Sequence, residues 1–391
     1  MPDVFLKKGR EIPVLRGHPW IFSGAIDKAE GASEAPLLCD VLDHRGKWLA
    51  RGLYNPKSQI RVRVLTWENE PIDQSFLARR LSQALALRAK HLTGATNAYR
   101  VVNGEGDLLP GLVIDRYADY LVCQFLTQGM DGLRELIISA LEGVLPAKGV
   151  YERSEGGVRA EEELPERIGL LAGADPPALI EIEESGVKFL VDVRQGQKTG
   201  FFLDQRDHRS LVRSLAGGQR VLNCFAYTGG FTAYAVQGGA GQVLSVESSR
   251  AALELGKETL RLNGLSVPDE DWIKGDAFSF LKTCPETFDL VILDPPSMAP
   301  RRADSEAAAG GYKYLNLHAL RVLRPGGMLL TFCCSQHIAS DLFQKIVFGA
   351  AVDSRRRLQV VKKLGHPLDH PVSLHHPEGE YLKGLLIRAL E

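Results

Sequence analysis

The sequence predicts an α/β protein whose C-terminal half is a mainly parallel sheet covered by helices on both faces, preceded by a small β-rich domain and an α+β segment. Three observations predict this. After about residue 178, apolar strand-like runs alternate with helical periodicity, the pattern of repeated βα units. Before about residue 70, short β-like runs are punctuated by glycine and proline. Between these regions, a stretch with helical spacing is followed by strand candidates and tight turns. At 391 residues the chain has room for two or three domains, and the expected boundaries are 1–70, 71–178 and 179–391.

Hydrophobic residues at 45% and charged residues at 24% are the balance of an ordinary globular protein, which excludes disordered and fibrous classes. No apolar run approaches the ~18–20 residues of a membrane span, and the first residues lack the apolar block of a signal peptide. A cytoplasmic location without a membrane partner is expected. The six cysteines, including the adjacent Cys333 and Cys334, have no paired spacing that would hold a metal or build a disulfide framework. Reduced thiols and no metal are expected. A formal net charge of −1 leaves only a local basic face for a polyanion.

In the first segment, Pro19-Trp20-Ile21-Phe22 and Ile60-Arg61-Val62-Arg63-Val64 read as strands. Lys7, Lys8, Arg10 and Arg16 cluster near the start, and Arg61 and Arg63 share one face of an alternating strand. Phosphates fit against these six, the alternative being a solvated strand face. Helical spacing of Phe76, Leu77, Leu81, Ala84 and Leu85 opens the second segment, with strands expected at 100–102, 112–114, 121–125 and 150–152 and a helix over 133–145. Residues 161–177, rich in acid, proline and alanine, read as a linker or an exposed hairpin.

The sharpest local feature is the apolar strand at 220–224 that runs through Phe225-Ala226-Tyr227-Thr228-Gly229-Gly230 into a helix. Ligands of open parallel sheets sit beyond the carboxyl ends of strands, and glycine lets a ligand approach the backbone. The G-x-G-x-x-G pattern that seats a pyrophosphate is absent, which favours a ligand without phosphate, S-adenosylmethionine, over NAD or ATP. The next strand, residues 242–247, ends in Glu247, about 20 residues past the glycine turn, where a carboxylate accepts from ribose hydroxyls. A third strand ends at Lys274-Gly275-Asp276-Ala277, where Asp276 is either an acceptor for the adenine amino group or a helix cap.

The fourth strand drives an apolar run into Asp294-Pro295-Pro296, whose prolines fix the backbone and remove two N–H donors beside Asp294. The fifth, read at 328–332, ends in Cys333-Cys334-Ser335. Carbon 5 of a pyrimidine is a poor nucleophile, so methylation there needs a thiolate added first to carbon 6. Cys333, next to the strand core, reads as an inert buried thiol and Cys334 as the reactive one. Ser297 stands after the prolines where an enzyme methylating an exocyclic amino group would place a stacking aromatic, which favours carbon over nitrogen. Gly310-Gly311-Tyr312-Lys313 reads as a mobile loop over an extruded base, with a helix start as the alternative.

With these motifs, Gly17-His18-Pro19-Trp20-Ile21-Phe22, Gly104-Glu105-Gly106-Asp107, Leu109-Pro110-Gly111-Leu112, Asp115-Arg116-Tyr117 and the run from Gly196 to Arg206 resemble the bacterial 23S rRNA cytosine-C5 methyltransferases of the large-subunit methyltransferase I type. The resemblance spans the chain. It implies a PUA-like β-barrel that binds RNA, an EEHEE-like α+β domain and a class I, Rossmann-like methyltransferase with a seven-stranded sheet. It further implies Cys334 as the nucleophile and Asp294 as the group that hydrogen-bonds the cytosine ring. Thr199, Phe202, Gln205 and Arg206 would close over the cofactor. Phe225, Tyr227, Thr228 and Gly229 would cradle its methionine part and Glu247 its ribose, with Asp276, Ala277 and Asp294 completing the cofactor set. Arg153, Arg159 and Lys313 join the candidate RNA contacts. Two departures stand out: Cys333 replaces another small residue, and Ser297-Met298 replaces a lysine-aromatic pair. The rival readings are an rRNA guanine-N methyltransferase, which needs no thiol, and an RNA-binding protein without catalysis. The sequence leaves open a homodimer and whether the rRNA substrate is protein-poor or an assembly intermediate.

Overall fold

Short strands of alternating burial build the N-terminal part of the computed structural model, which describes residues 1–31, 37–92, 95–299 and 301–390. The chain divides into two units: residues 1–182, 191–203 and 368–379 in the first, and residues 183–190, 204–367 and the segment from Glu380 in the second.

The first unit begins with β1 (Asp3–Leu6), α1 (Ile12–Leu15), β2 (Trp20–Phe22), β3 (Ile26–Glu30), β4 (Leu37–Leu42), β5 (Trp48–Tyr54) and β6 (Ile60–Thr66). These form a sheet in the order β2-β6-β5-β4-β1-β3, antiparallel except for the β1–β4 pair. Asp73 then caps α2 (Gln74–His91), accepting from the Phe76 N–H at 2.9 Å. There follow β7 (Ala98–Asn103), β8 (Leu112–Tyr117), β9 (Tyr120–Phe125), α3 (Gln128–Gly132), α4 (Arg134–Val144), β10 (Gly149–Ser154), α5 (Gly157–Glu161) and β11 (Arg167–Gly173), whose strands form a second sheet, β11-β10-β9-β8-β7. The helix expected over 133–145 is broken at Leu133 into α3 and α4. The stretch 161–177 contains β11, which pairs antiparallel with β10. Leu53 and Leu65 of the first sheet pack in one core with Phe76, Leu81, Ile114 and Leu141.

Buried ions fasten distant segments to this unit. Arg88, 1% exposed, grips both oxygens of Asp107 and donates to the Asp369 carbonyl at 2.8 Å. Arg100 grips Asp115 at 2.9 Å through two N–H groups, and Asp115 accepts from the Thr199 hydroxyl at 2.6 Å. Asp107 and Asp115 of the two sequence motifs thus serve to hold residues 191–203 and 368–379 in place.

A hairpin, β12 (Ile180–Glu184) and β13 (Val187–Val191), leads to the second unit. There α6 (Arg206–Leu215), β14 (Arg220–Cys224), α7 (Gly230–Gln237), β15 (Gln242–Glu247), α8 (Arg250–Leu262), β16 (Trp272–Lys274), α9 (Ala277–Thr283), β17 (Phe288–Leu293), α10 (Ser305–Val322), β18 (Leu323–Cys333), α11 (Ser340–Ser354), β19 (Leu358–Leu364) and β20 (Lys383–Ala389) alternate. The sheet order is β16-β15-β14-β17-β18-β20-β19, parallel except that β20 runs antiparallel to both neighbours. Its central strands are largely apolar because both faces are covered, whereas the edge strand β19 is mostly exposed. Leu222, Val291 and Leu329 pack on Leu315 and Ala319 of α10, while Val221, Ile292 and Leu330 pack with Val212 of α6 and Phe231 of α7.

One expectation is corrected here. Gly310-Gly311-Tyr312-Lys313 lies inside α10 and is no loop. A Cβ on Gly311 would come within 2.8 Å of the Met298 sulfur, so the glycine lets the helix approach the loop after β17. Lys313 is paired with Asp353 at 2.8 Å.

Within the second unit, Arg209 donates to both oxygens of Glu184 at 2.7 and 2.6 Å, and Glu184 is fully buried. Arg209→Met strands that carboxylate and should cost about 3–5 kcal/mol, read as a lowered urea midpoint; an unchanged midpoint would mean that the pair contributes nothing to stability.

Candidate active site

The strand order reverses direction between β14 and β17, and in such sheets the crevice for ligands opens at the carboxyl ends of the flanking strands. The turn leaving β14 is conformationally unusual. Phe225, Tyr227 and Gly229 all take left-handed backbone angles, with φ of 61°, 48° and 73°. For the two side-chain-bearing residues this costs about 1 kcal/mol or more each, and such strain collects at ligand sites. The turn is pinned by its neighbours. Tyr227 N–H donates to Glu247 Oε2 at 2.9 Å, and Ala226 N–H donates to the Val246 carbonyl at 3.1 Å. The other oxygen of Glu247 accepts from the Ser249 N–H at 2.9 Å. The half-buried Glu247 therefore joins the β14 turn to the end of β15 while keeping an exposed edge for hydroxyl donors.

Asp276 is exposed and caps α9, accepting from the Ser279 N–H at 2.9 Å, which holds its carboxyl below the usual range. Ala277 is buried beneath it, and Phe225 meets Phe278 edge-on with centroids 6.1 Å apart. The cap reading of Asp276 is thus realised. A strained turn, a partly exposed strand-end carboxylate and an aromatic wall without a pyrophosphate loop fit S-adenosylmethionine in donor set and shape.

Asp294 leaves β17 half-buried and accepts from Gln205 Nε2 at 2.8 Å. The Gln205 carbonyl oxygen lies 2.6 Å from His208 Nδ1. Burial against Phe332 pushes His208 down to about 4, so near neutral pH its uncharged ring can donate to Gln205 and orient the amide toward Asp294. Gln205 was expected to touch cofactor; His208 escaped the sequence reading. Arg206 is buried at the start of α6 and Thr228 is buried behind the glycine turn.

Leu293 pairs with Thr331 across parallel β17 and β18, so Asp294 and Cys334 emerge from adjacent strands at the same edge. Alternation separates the two thiols. Cys333 is fully buried in the core under α10, and Cys334 is partly exposed on the opposite face. Buried Ser335 ties the strand end to the loop after β17: its hydroxyl oxygen accepts from the Met298 and Ala299 N–H groups at 3.2 Å and lies 3.0 Å from the Tyr312 hydroxyl. Ser335 and Lys383, which donates to the Ser335 carbonyl at 2.7 Å, were not singled out in the sequence.

Other expected site residues belong to the first unit and are described within it. In the first unit, Thr199 is fully buried with its hydroxyl 2.7 Å from the Tyr117 hydroxyl and bonded to Asp115, so it shapes its segment from within and does not face a ligand. Phe202 is half-buried under the Lys198 ammonium, 4.7 Å from its ring. Arg63 pairs with Glu162 at 2.9 Å, Arg153 donates to the Val193 and Gly196 carbonyls, and Arg159, with no exposure, donates to the Pro165 carbonyl and Asp131. These three are corrected from RNA contacts to internal braces, because burial removes their guanidiniums from any polyanion. Lys7, Lys8, Arg10 and Arg16 are exposed, and Arg61 is partly so. Arg10 borders a pocket of about 360 Å³ with His18, Trp20 and Phe22, an aromatic-and-cation lining missed in the sequence because it joins α1 to β2.

Among the described residues, no cluster of metal-ligand type occurs and no helix is long and apolar enough to cross a membrane. Residues 164–388 match the family described as S-adenosylmethionine-dependent methyltransferase, and residues 4–67 match a PUA-like domain. Fold and site define an S-adenosylmethionine-dependent methyltransferase. A ribosomal RNA large subunit methyltransferase I of Tolumonas auensis is 49% identical over 99% of both chains, and one of Klebsiella pneumoniae is 44% identical over 100% of this chain and 98% of its own. The chain belongs to the ribosomal RNA large subunit methyltransferase I family. Among solved structures, a SAM-dependent methyltransferase of Streptococcus mutans, 22% identical, has the same fold with a TM-score of 0.85, covering 99% of this chain and 100% of its own. A methyltransferase complexed with SAH, also 22% identical with the same coverage, reaches 0.87.

Glu247→Ala should weaken S-adenosylmethionine binding about 10–100-fold, the worth of hydrogen bonds to a charged acceptor, measured by calorimetry; unchanged affinity would remove Glu247 from the cofactor site.

Proposed function

We propose that this protein methylates carbon 5 of a cytosine in large-subunit ribosomal RNA, 23S rRNA before it is fully clothed in protein, with Cys334 as the covalent nucleophile. The observation that carries the reading is the pairing of a partly exposed thiol with a strand-end carboxylate on adjacent parallel strands, while the neighbouring Cys333 is sealed in the core. Nitrogen methylation has no use for such a thiol.

When bound, S-adenosylmethionine supplies an electrophilic methyl group, and the residues that would hold it are the Phe225–Gly229 turn, Glu247 and the Asp276-Ala277 step. The Cys334 thiolate adds to carbon 6 of the base, and the ring electron pair shifts toward carbon 5. Asp294, held at one oxygen by Gln205, would carry a proton on the other and give it to the ring nitrogen N3 as the thiolate adds, so that no uncompensated negative charge builds on the ring, and would take it back when the thiolate leaves. Carbon 5 would take the methyl group as the bond from methyl to the sulfonium sulfur breaks and leaves a neutral thioether; the carbon-5 proton then leaves to a base, and cleavage of the S–C6 bond restores the aromatic ring and the thiolate. The base must first leave its stack, at a cost of a few kcal/mol. The exposed Lys7, Lys8, Arg10 and Arg16 and the pocket formed by Arg10, Trp20 and Phe22 offer phosphate contacts and a stacking surface for flanking single-stranded RNA.

Incubation with tritiated S-adenosylmethionine and unmethylated 23S rRNA should place label in 5-methylcytosine. Cys334→Ala should abolish it, while Cys333→Ala retains activity within about threefold because its thiol only fills core. Label in a guanine, or label indifferent to Cys334→Ala, would overturn the proposal in favour of nitrogen methylation.

A further inference from the structure

A hydrogen-bond relay ends on the strand-end carboxyl group. His208 is 4% exposed and its Nδ1 lies 2.6 Å from the Gln205 carbonyl oxygen, while Gln205 Nε2 donates to Asp294 Oδ1 at 2.8 Å. Gln205 is itself buried, so both contacts are made away from bulk water. The His208 ring packs on Phe332 with centroids 4.7 Å apart, and burial keeps it uncharged near neutral pH, with a single N–H to place. An amide offers donors on one side and an acceptor on the other. With the ring N–H on Nδ1, His208 occupies the amide oxygen, and only the amide N–H can face Asp294. With the N–H on Nε2, Nδ1 would accept, the amide would turn round, and its oxygen would face Asp294. Oδ1 would then have to hold the carboxyl proton. The tautomer of His208 thus decides which oxygen of Asp294 accepts and which can donate.

We propose that His208 is a positioning residue for methyl transfer: through Gln205 it keeps Asp294 Oδ1 an acceptor, so that the proton meant for the base lies on Oδ2. The proposal rests on the carbon-5 reading, in which thiolate addition needs that proton. As sulfur bonds to carbon 6, the C5=C6 pair moves between carbons 4 and 5, and the N3=C4 pair moves onto N3. N3 takes the Oδ2 proton, whose bonding pair stays on Asp294 as a carboxylate. A hydrogen bond to a carboxylate is about twice as strong as one to a neutral group. The Gln205 N–H therefore holds the addition state more tightly than the ground state, and the relay acts on kcat and not on the KM for RNA.

The test is 23S rRNA methylation by the full chain at saturating S-adenosylmethionine. Phenylalanine keeps the packing on Phe332 but has no donor, whereas asparagine carries an amide N–H close to where Nδ1 stands. His208→Phe should lower kcat about tenfold with the KM for RNA unchanged, and His208→Asn should recover most of that loss. Gln205→Met should also lower kcat, and the double variant His208→Phe with Gln205→Met should be no slower than Gln205→Met alone, because His208 acts only through the amide. An unchanged kcat in His208→Phe, a loss confined to KM, no recovery in His208→Asn, or multiplied losses in the double variant would overturn the proposal. Should His208→Phe fail to fold, imidazole nitrogen NMR of the unsubstituted chain decides: His208 should carry its proton on Nδ1, and the Nε2–H tautomer overturns the relay. Methylation that survives Cys334→Ala defeats the carbon-5 reading itself, whatever the His208 variants do, so the two failures are distinguishable.

Discussion

The parallel pairing of β14 with β17, where the chain reverses its direction of travel across the sheet, is the constraint from which the site follows. It opens the carboxyl edge between two strands that would otherwise be bridged by a crossover. Each strand then contributes by where it ends. β14 ends in the strained turn, β15 in Glu247, β17 in Asp294 and β18 in the thiol pair. The registers Cys224↔Val246, Cys224↔Leu293 and Leu293↔Thr331 fix these ends relative to one another within a rigid sheet. Precision at the site is thus inherited from backbone pairing, and the side chains need only modest further restraint.

That restraint comes from buried polar chains. His208 acts on Gln205 and Gln205 on Asp294; Ser335 gathers two backbone N–H groups and the Tyr312 hydroxyl. Polar groups buried this way must be satisfied or they destabilise the fold, so each chain has one arrangement it strongly prefers. The same logic operates in the first unit, where Arg88 and Arg100 seize Asp107, Asp115 and Asp369. The carboxylates of the Gly-Asp and Asp-Arg-Tyr motifs serve attachment of chain segments.

The site was legible where a residue's role is set by its own strand. Glu247 and Asp294 end apolar runs, and Cys334 follows one, so periodicity alone places them at the sheet edge. The alternation of strands and helices likewise announced the fold. What escaped depends on partners distant in sequence: His208 matters through Asp294, and Lys383 through Ser335. Charge misled at Arg63, Arg153 and Arg159, since a guanidinium on a strand or short helix reads as solvated until its buried acceptors are known. Gly310-Gly311 misled for a different reason. Glycine is a poor helix former, but here a helix must pass close to Met298, and packing outweighs a propensity cost of about 1 kcal/mol.

The central claim is that the sheet presents Cys334 to carbon 6 of a cytosine, and a trapped adduct tests it most directly. An rRNA fragment carrying 5-fluorocytosine blocks the final loss from carbon 5, so a covalent intermediate should persist after methyl transfer. Peptide mapping of the complex is predicted to find the base on Cys334; no adduct, or an adduct on another residue, would contradict the account.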